Sequence, residues 1–114
     1  MRYCLALDLR DDPAVFEEYD RHHRDVWPEV LAHLRGSGVV DMTIWRRRDR
    51  LVMLIETEPG FLIEDLAVGE EAPARVREWE ALMGSLQRAL PGAPSAQPVW
   101  QGMDEVFHLR DGAL

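Results

Sequence analysis

At helical spacing, Phe16, Tyr19, His23, Val26, Trp27, Val30 and Leu34 recur at intervals of three and four, which places them on one face of a helix. An apolar stripe thus carries an imidazole at position 23, with a phenol one turn before it and an indole one turn after. Histidine can give or take a proton near neutrality, so His23 between Tyr19 and Trp27 has the makings of a pocket for general acid–base chemistry. Periodicity alone also allows a hydrogen-bonded core histidine. His22 projects about 100° away from this face, toward the surface, and His33 reads as solvated. The partner acid or base of His23 is sought among Tyr19, Asp41 and His108.

The elements that must position these residues follow from pattern and punctuation. Arg2 to Leu9 reads as a strand, ended by the polar turn Arg10-Asp11-Asp12-Pro13. A helix follows, with Asp12 as N-cap, Pro13 at the first helical position, and Gly36 and Gly38 as its stop. Pro28 lies inside this helical pattern and predicts a kink or a split near Trp27, opening space beside His23. Val39 to about Arg47 and Leu51 to about Glu58 form a β-hairpin. In its first strand Asp41, Thr43 and Trp45 share one face, and Val40, Met42 and Ile44 the other. A short helix around Phe61–Ala67 and a longer one from about Pro73 to Leu90 follow, the latter with Val76, Trp79, Leu82, Met83 and Leu86 at helical spacing. Pro91–Pro98 reads as a surface loop, and Val99 to about Leu109 as the last strand.

The order strand, helix, strand, strand, helix, strand is that of an α+β, ferredoxin-like split βαβ domain with a four-stranded antiparallel sheet. The 114 residues fit one domain, 1–114. The sheet is left with an uncovered face, expected to carry Trp45, Trp100 and Phe107, which a second copy should cover or a barrel-like curl should enclose. A homodimer is the expected state.

Composition removes several classes. A net charge of −8 disfavours nucleic acid. The cluster Arg46-Arg47-Arg48 reads as a solvated turn, with anionic-substrate binding as the alternative. The single cysteine, Cys4, cannot form an internal disulfide and reads as a core thiol. No signal peptide or membrane span is evident, so the cytoplasm is the default compartment. The adjacent His22 and His23 cannot face one ion from a regular helix, and no His-x₃-His or cysteine pair is present, so neither metal nor cofactor is expected.

Several segments together resemble the L-rhamnose mutarotase family, whose relatives also act on L-fucose. They are Arg2–Leu9 with Asp11-Asp12-Pro13, Glu18-Tyr19 to His23 with Val26-Trp27-Pro28-Glu29-Val30, Gly38–Trp45, Glu78–Met83 and Met103–Leu109. The most specific is Tyr-x-x-x-His-x-x-x-Trp-Pro-Glu. The resemblance implies a dimeric α/β barrel and metal-free interconversion of the α and β anomers of a 6-deoxyhexose. Position by position, it makes His23 the proton-donating histidine and has Tyr19 and Trp79 line the sugar site. Where the rhamnose enzymes have a sugar-contacting tyrosine in the second strand, this chain has Met42, as in a branch of the family associated with L-fucose or unspecified sugars. Where they have paired tryptophans in the late helix, it has Glu78 before Trp79.

The residues agree with that chemistry. Pyranose opening needs one group to protonate the ring oxygen and another to take the anomeric hydroxyl proton, and a neutral histidine can serve either end. A tryptophan can stack on the sugar, and Met42 suits a C6 methyl. Asp41, Trp45 and His108 complete the expected substrate-binding set. The rival reading is a cofactor-free oxygenase or cyclase, or a small-ligand-binding module, on the same architecture.

Overall fold

The computed structural model describes residues 1–111. The elements are β1 (Arg2–Leu9), α1 (Pro13–His23), α2 (Pro28–Gly36), β2 (Val39–Arg47), β3 (Arg50–Thr57), a 3₁₀ turn (Ile63–Leu66), α3 (Ala74–Leu86), β4 (Gln87–Arg88), β5 (Gln101–Gly102) and a 3₁₀ turn at Leu109–Asp111. The sheet is antiparallel in the order β2-β3-β1-β4, and β5 pairs with β1 on the edge that β4 also uses.

Pro28 splits the helical run in two. It has no N–H to donate to the turn before it, and it holds Trp27 extended at φ −59°, ψ 135°. Helix α1 therefore ends at His23, and Pro28 starts α2 at the position where a missing N–H costs nothing. Asp12 caps α1 as expected, its carboxylate accepting from the Ala14 N–H at 3.0 Å. After α2 the chain reverses at Gly38, which takes φ +105° against the Phe61 ring.

The core lies between one sheet face and the helices. Leu5, Leu7 and Leu9 of β1 and Leu51, Met53 and Ile55 of β3 point into it, against Phe16 and Tyr19 of α1, Val30 of α2, and Trp79 and Met83 of α3. On the opposite face Asp8 is only 1 % exposed, and its ladder neighbours on the two flanking strands are Arg50 and Arg88. Both guanidiniums pair with its carboxylate, so three strands are tied at one point.

The C-terminal third departs from the sequence reading. Helix α3 stops at Leu86 rather than near Leu90, because its last carbonyls are taken by Arg10: the backbone N–H bonds Leu86 O at 2.9 Å and Nε bonds Ser85 O at 3.0 Å. Gln87 then turns extended and pairs with Leu9. The strand expected over Val99–Leu109 shrinks to Gln101–Gly102. One further bond, Met103 N–H to Cys4 O at 2.8 Å, follows, and only Tyr3 and Arg2 of β1 remain beyond it as an edge. Cys4 is half-buried on the outer face and donates to Met103 Sδ at 3.6 Å; it is not a core thiol.

Candidate functional site

A cleft of about 760 Å³ opens between α1, α2, α3 and the edge strand β2, within the range of small-molecule sites. His23, Tyr19 and Trp79 stand together in its wall. The His23 ring stacks on Tyr19 with centroids 4.2 Å apart at 29°, and meets Trp79 edge-on at 5.4 Å and 69°. Trp27 backs Trp79 edge-on at 5.2 Å, and the Arg75 guanidinium lies 3.6 Å from the Trp27 centroid. Trp27 is thus a supporting residue, as its place on the stripe implied.

The hydrogen bonding of His23 defines its chemistry. Nδ1 lies 2.8 Å from the Tyr19 carbonyl oxygen. A carbonyl can only accept, so Nδ1 carries the proton and Nε2 keeps its lone pair. No described residue hydrogen-bonds Nε2. Burial lowers the His23 pKa from the ordinary 6.5, against an opposing pull from the Tyr19 carbonyl bond, so the neutral imidazole prevails at neutral pH. Tyr19 is only 3 % exposed, and burial first, then the charge of Glu80, pushes its phenol well above 10.0. It stays a neutral hydroxyl.

Met42 faces this side of the sheet, packing against the core with Ile44, and lines the cleft as expected. Asp41 and Trp45 do not join His23 in the same way. Both border the cleft where it runs over the edge strand β2, but alternation places them on the opposite sheet face from Met42 and Ile44, paired with Glu56 and Val52. There Asp41 borders a small depression of about 130 Å³ with Arg2 and Glu56. His108 lies in the irregular segment after Gly102 and is not among the residues lining the cleft. Trp100, expected on the uncovered face, instead packs against both halves of the core and lines the cleft.

Two acidic residues and one arginine of the cleft were not singled out from the sequence as site residues. Asp20 forms a two-pronged ion pair with Arg46, 2.8 Å from Nε and 2.6 Å from Nη2. The Arg46 bond holds the Asp20 carboxyl below its ordinary range, and the guanidinium also lies 5.2 Å from the Phe16 ring centroid. Arg46 is therefore an exposed residue of β2 whose guanidinium is committed to Asp20 rather than free for an anion. Glu80, one residue after Trp79 on α3, borders the cleft while remaining exposed to solvent, and partial desolvation by the surrounding atoms raises its carboxyl pKa. Its sequence signal was weak: four residues after the buried Val76, it sits about 40° off the apolar stripe. His22 is half-buried, 3.3 Å from Glu18, with its ring edge-on to Trp79 at 6.2 Å, and His33 also borders the cleft.

Among the described residues no three His, Cys, Asp or Glu side chains gather in the manner of a metal site, and no helix is long and apolar enough to cross a membrane.

Comparison with known proteins adds sequence evidence to this geometry. A family model described as L-rhamnose mutarotase matches residues 2–109. The L-fucose mutarotase of Xanthomonas campestris pv. campestris is 38% identical over 112 residues, 96% of this chain and 89% of that one. The L-rhamnose mutarotase of Acidiphilium cryptum is 34% identical over 108 residues, 92% of this chain and 96% of that one. The crystal structure of an L-rhamnose mutarotase from Formosa agariphila shares the fold at a TM-score of 0.67 and 22% identity, over 95% of this chain and 97% of the other. A match running almost from end to end, with the His23 stripe and the α3 aromatic folded around one cleft, has a single consequence: the chain belongs to the L-rhamnose mutarotase family.

Proposed function

We propose that this protein is an isomerase that interconverts the α and β anomers of a 6-deoxyhexose, L-fucose or L-rhamnose, by general acid–base ring opening. The observation that carries the reading is the neutral imidazole of His23, its Nδ1 proton anchored on Tyr19 O and its Nε2 lone pair free in the cleft. That nitrogen can take the proton of the anomeric hydroxyl as the ring opens and return it to O1 on closure. With rotation about C1–C2 between the two steps, the other anomer forms. Positioned proton transfer of this kind is worth on the order of 10²- to 10⁴-fold in rate.

The walls suit the substrate class. Trp79 offers an indole edge and face to the apolar side of a sugar ring, and the Tyr19 hydroxyl serves as a neutral hydrogen-bonding group. Met42, beside Ile44, gives a C6 methyl an apolar place, which favours a deoxy sugar over one with a hydroxyl there. Asp41, Trp45 and His108 have no role in this cleft in our reading. The names of the relatives favour mutarotation over the oxygenase or binding-module alternatives.

The working unit in this reading is a cytoplasmic homodimer of one-domain chains. Two of its supports are the 55% exposure of Trp45 and the exposed Val40 on the edge strand, an apolar area that water penalises at roughly 25 cal/mol per Å².

Saturation-transfer NMR on L-fucose and L-rhamnose tests the activity. The protein should accelerate exchange between the anomeric protons of at least one sugar above the buffer rate. Exchange at the buffer rate for both would refute the proposal.

A further inference from the structure

We propose that Glu80 is the second proton-transfer group of the cleft, working with His23 on the two oxygens of the anomeric carbon. The inference deepens the mutarotase reading and rests on it. Ring opening needs two groups, and His23 is only one. Among those expected from the sequence to partner it, Asp41 turns to the other sheet face and His108 is not in the cleft. Tyr19 is held as a neutral phenol with its pKa far above neutrality.

Glu80 lines the same cleft as His23, Tyr19 and Trp79. It follows Trp79 directly in α3, the Trp79 ring meets the His23 ring at 5.4 Å, and its charge is felt at Tyr19, on which His23 stacks. Every other charged group around it has another commitment or stands apart from it. Asp20 on α1 is paired with Arg46 of β2, and Asp65 of the 3₁₀ turn accepts from the Leu62 N–H. His33 and Arg35 of α2 border the cleft without bonding Glu80. Among the described residues Glu80 makes no hydrogen bond or ion pair. A carboxyl that borders a ligand-sized cavity with no partner of its own is free to act on what enters it.

The step balances with these two groups alone. His23 Nε2 takes the proton from the anomeric hydroxyl, and C1=O1 forms as the C1–O5 bond breaks. The electron pair of that bond goes to O5, which takes the proton of the Glu80 carboxyl. After rotation about C1–C2, the Glu80 carboxylate recovers the proton from O5, O5 re-forms its bond to C1, and Nε2 returns its proton to O1. Burial moves the His23 imidazole down from 6.5, and the partial desolvation of the otherwise exposed Glu80 moves its carboxyl up from 4.5. Shifts in these directions favour the neutral imidazole and the protonated carboxyl, the two states the opening step requires.

The test is anomer-exchange NMR on L-fucose and L-rhamnose with wild type, Glu80→Gln and Glu80→Asp, at several sugar concentrations and across pH, with thermal melts to verify folding. Glu80→Gln should lower kcat by about 10²-fold with KM changed only a few-fold, and Glu80→Asp should restore part of it. The wild-type pH profile should be a bell, and Glu80→Gln should lose its alkaline limb. Full kcat in Glu80→Gln, or a loss confined to KM, would overturn the role of Glu80 and leave the mutarotase reading standing. So would a wild-type profile with no alkaline limb, a result that needs no variant to fold. No exchange by wild type on either sugar would overturn both.

Discussion

At the residue scale, the proposed mechanism turns on one hydrogen bond. Because Nδ1 of His23 is spent on the Tyr19 carbonyl, the tautomer is set and Nε2 is the nitrogen that the proposed mechanism uses. His23→Ala should lower anomer exchange by about 10²-fold or more at neutral pH while the melting temperature moves by a few degrees, measured by NMR exchange and circular dichroism. The pH dependence has a definite sign. Burial depresses the His23 pKa below 6.5, so the lone pair persists through neutrality and is lost only as pH falls through the lowered value. The acid limb of the rate should therefore have its midpoint below 6.5. The same depression means that the folded state binds this proton less readily than the unfolded chain, so the His23 contribution to stability is present above the ordinary value and fades with acidification through the folded one. Replacing His23 by Gln should reduce the loss of stability between neutral pH and pH 5 in urea titrations.

At the element scale, the site depends on two chain reversals and on one knot across the sheet. The first reversal, Arg24–Trp27, exists because Pro28 forbids helix through it, and it leaves His23 on the last turn of α1 rather than in mid-helix. The second is Gly38, whose φ of +105° a side chain adopts only with strain. Gly38→Ala should cost about 1–2 kcal/mol, read as a lower urea midpoint with an unchanged slope. The knot is Asp8 between Arg50 and Arg88, with Arg88 also bonding Asp49 at 2.6 Å. Because the arginines reach solvent and the carboxylate does not, the penalty of removing the charge falls on their lost partner rather than on a stranded buried cation. Asp8→Asn should accordingly cost about 1–3 kcal/mol in the same titration, with the anomer-exchange rate per folded molecule preserved, since the knot lies on the face away from the cleft.

At the scale of the whole molecule, the two faces of the sheet have different fates. One is filled by helices that build the cleft. The other carries Trp45 with Thr43 and Asp41 along the edge strand and Val52 and Leu54 beside them. If a second copy covers this face, light scattering should give twice the chain mass, and Trp45→Glu should shift it toward the monomer by burying an unpaired carboxylate in an apolar contact. A wild type that remains monomeric at tens of micromolar would refute the dimer.

Much of this protein was readable from the chain alone because its signals are local. The periodicity of Tyr19, His23 and Trp27, the cap at Asp12, the break at Pro28 and the alternation of β2 from Asp41 onward, after a bulge at Val40, are set by near neighbours in the chain, and each reappears in the fold. What depended on long-range packing was not readable. Which face of β2 looks toward His23 is decided by pairing with β3, and it put Met42 on that face and Asp41 and Trp45 on the opposite one. The length of the last strand is decided by how much of β1 is left to pair. The prominence of Glu80 is decided by its place at a cleft whose walls come from distant parts of the chain. An isolated glutamate beside a helical stripe has the same sequence signature whether it faces solvent or a substrate, because desolvation and the charges that neighbour it are properties of assembled space, not of spacing along the backbone.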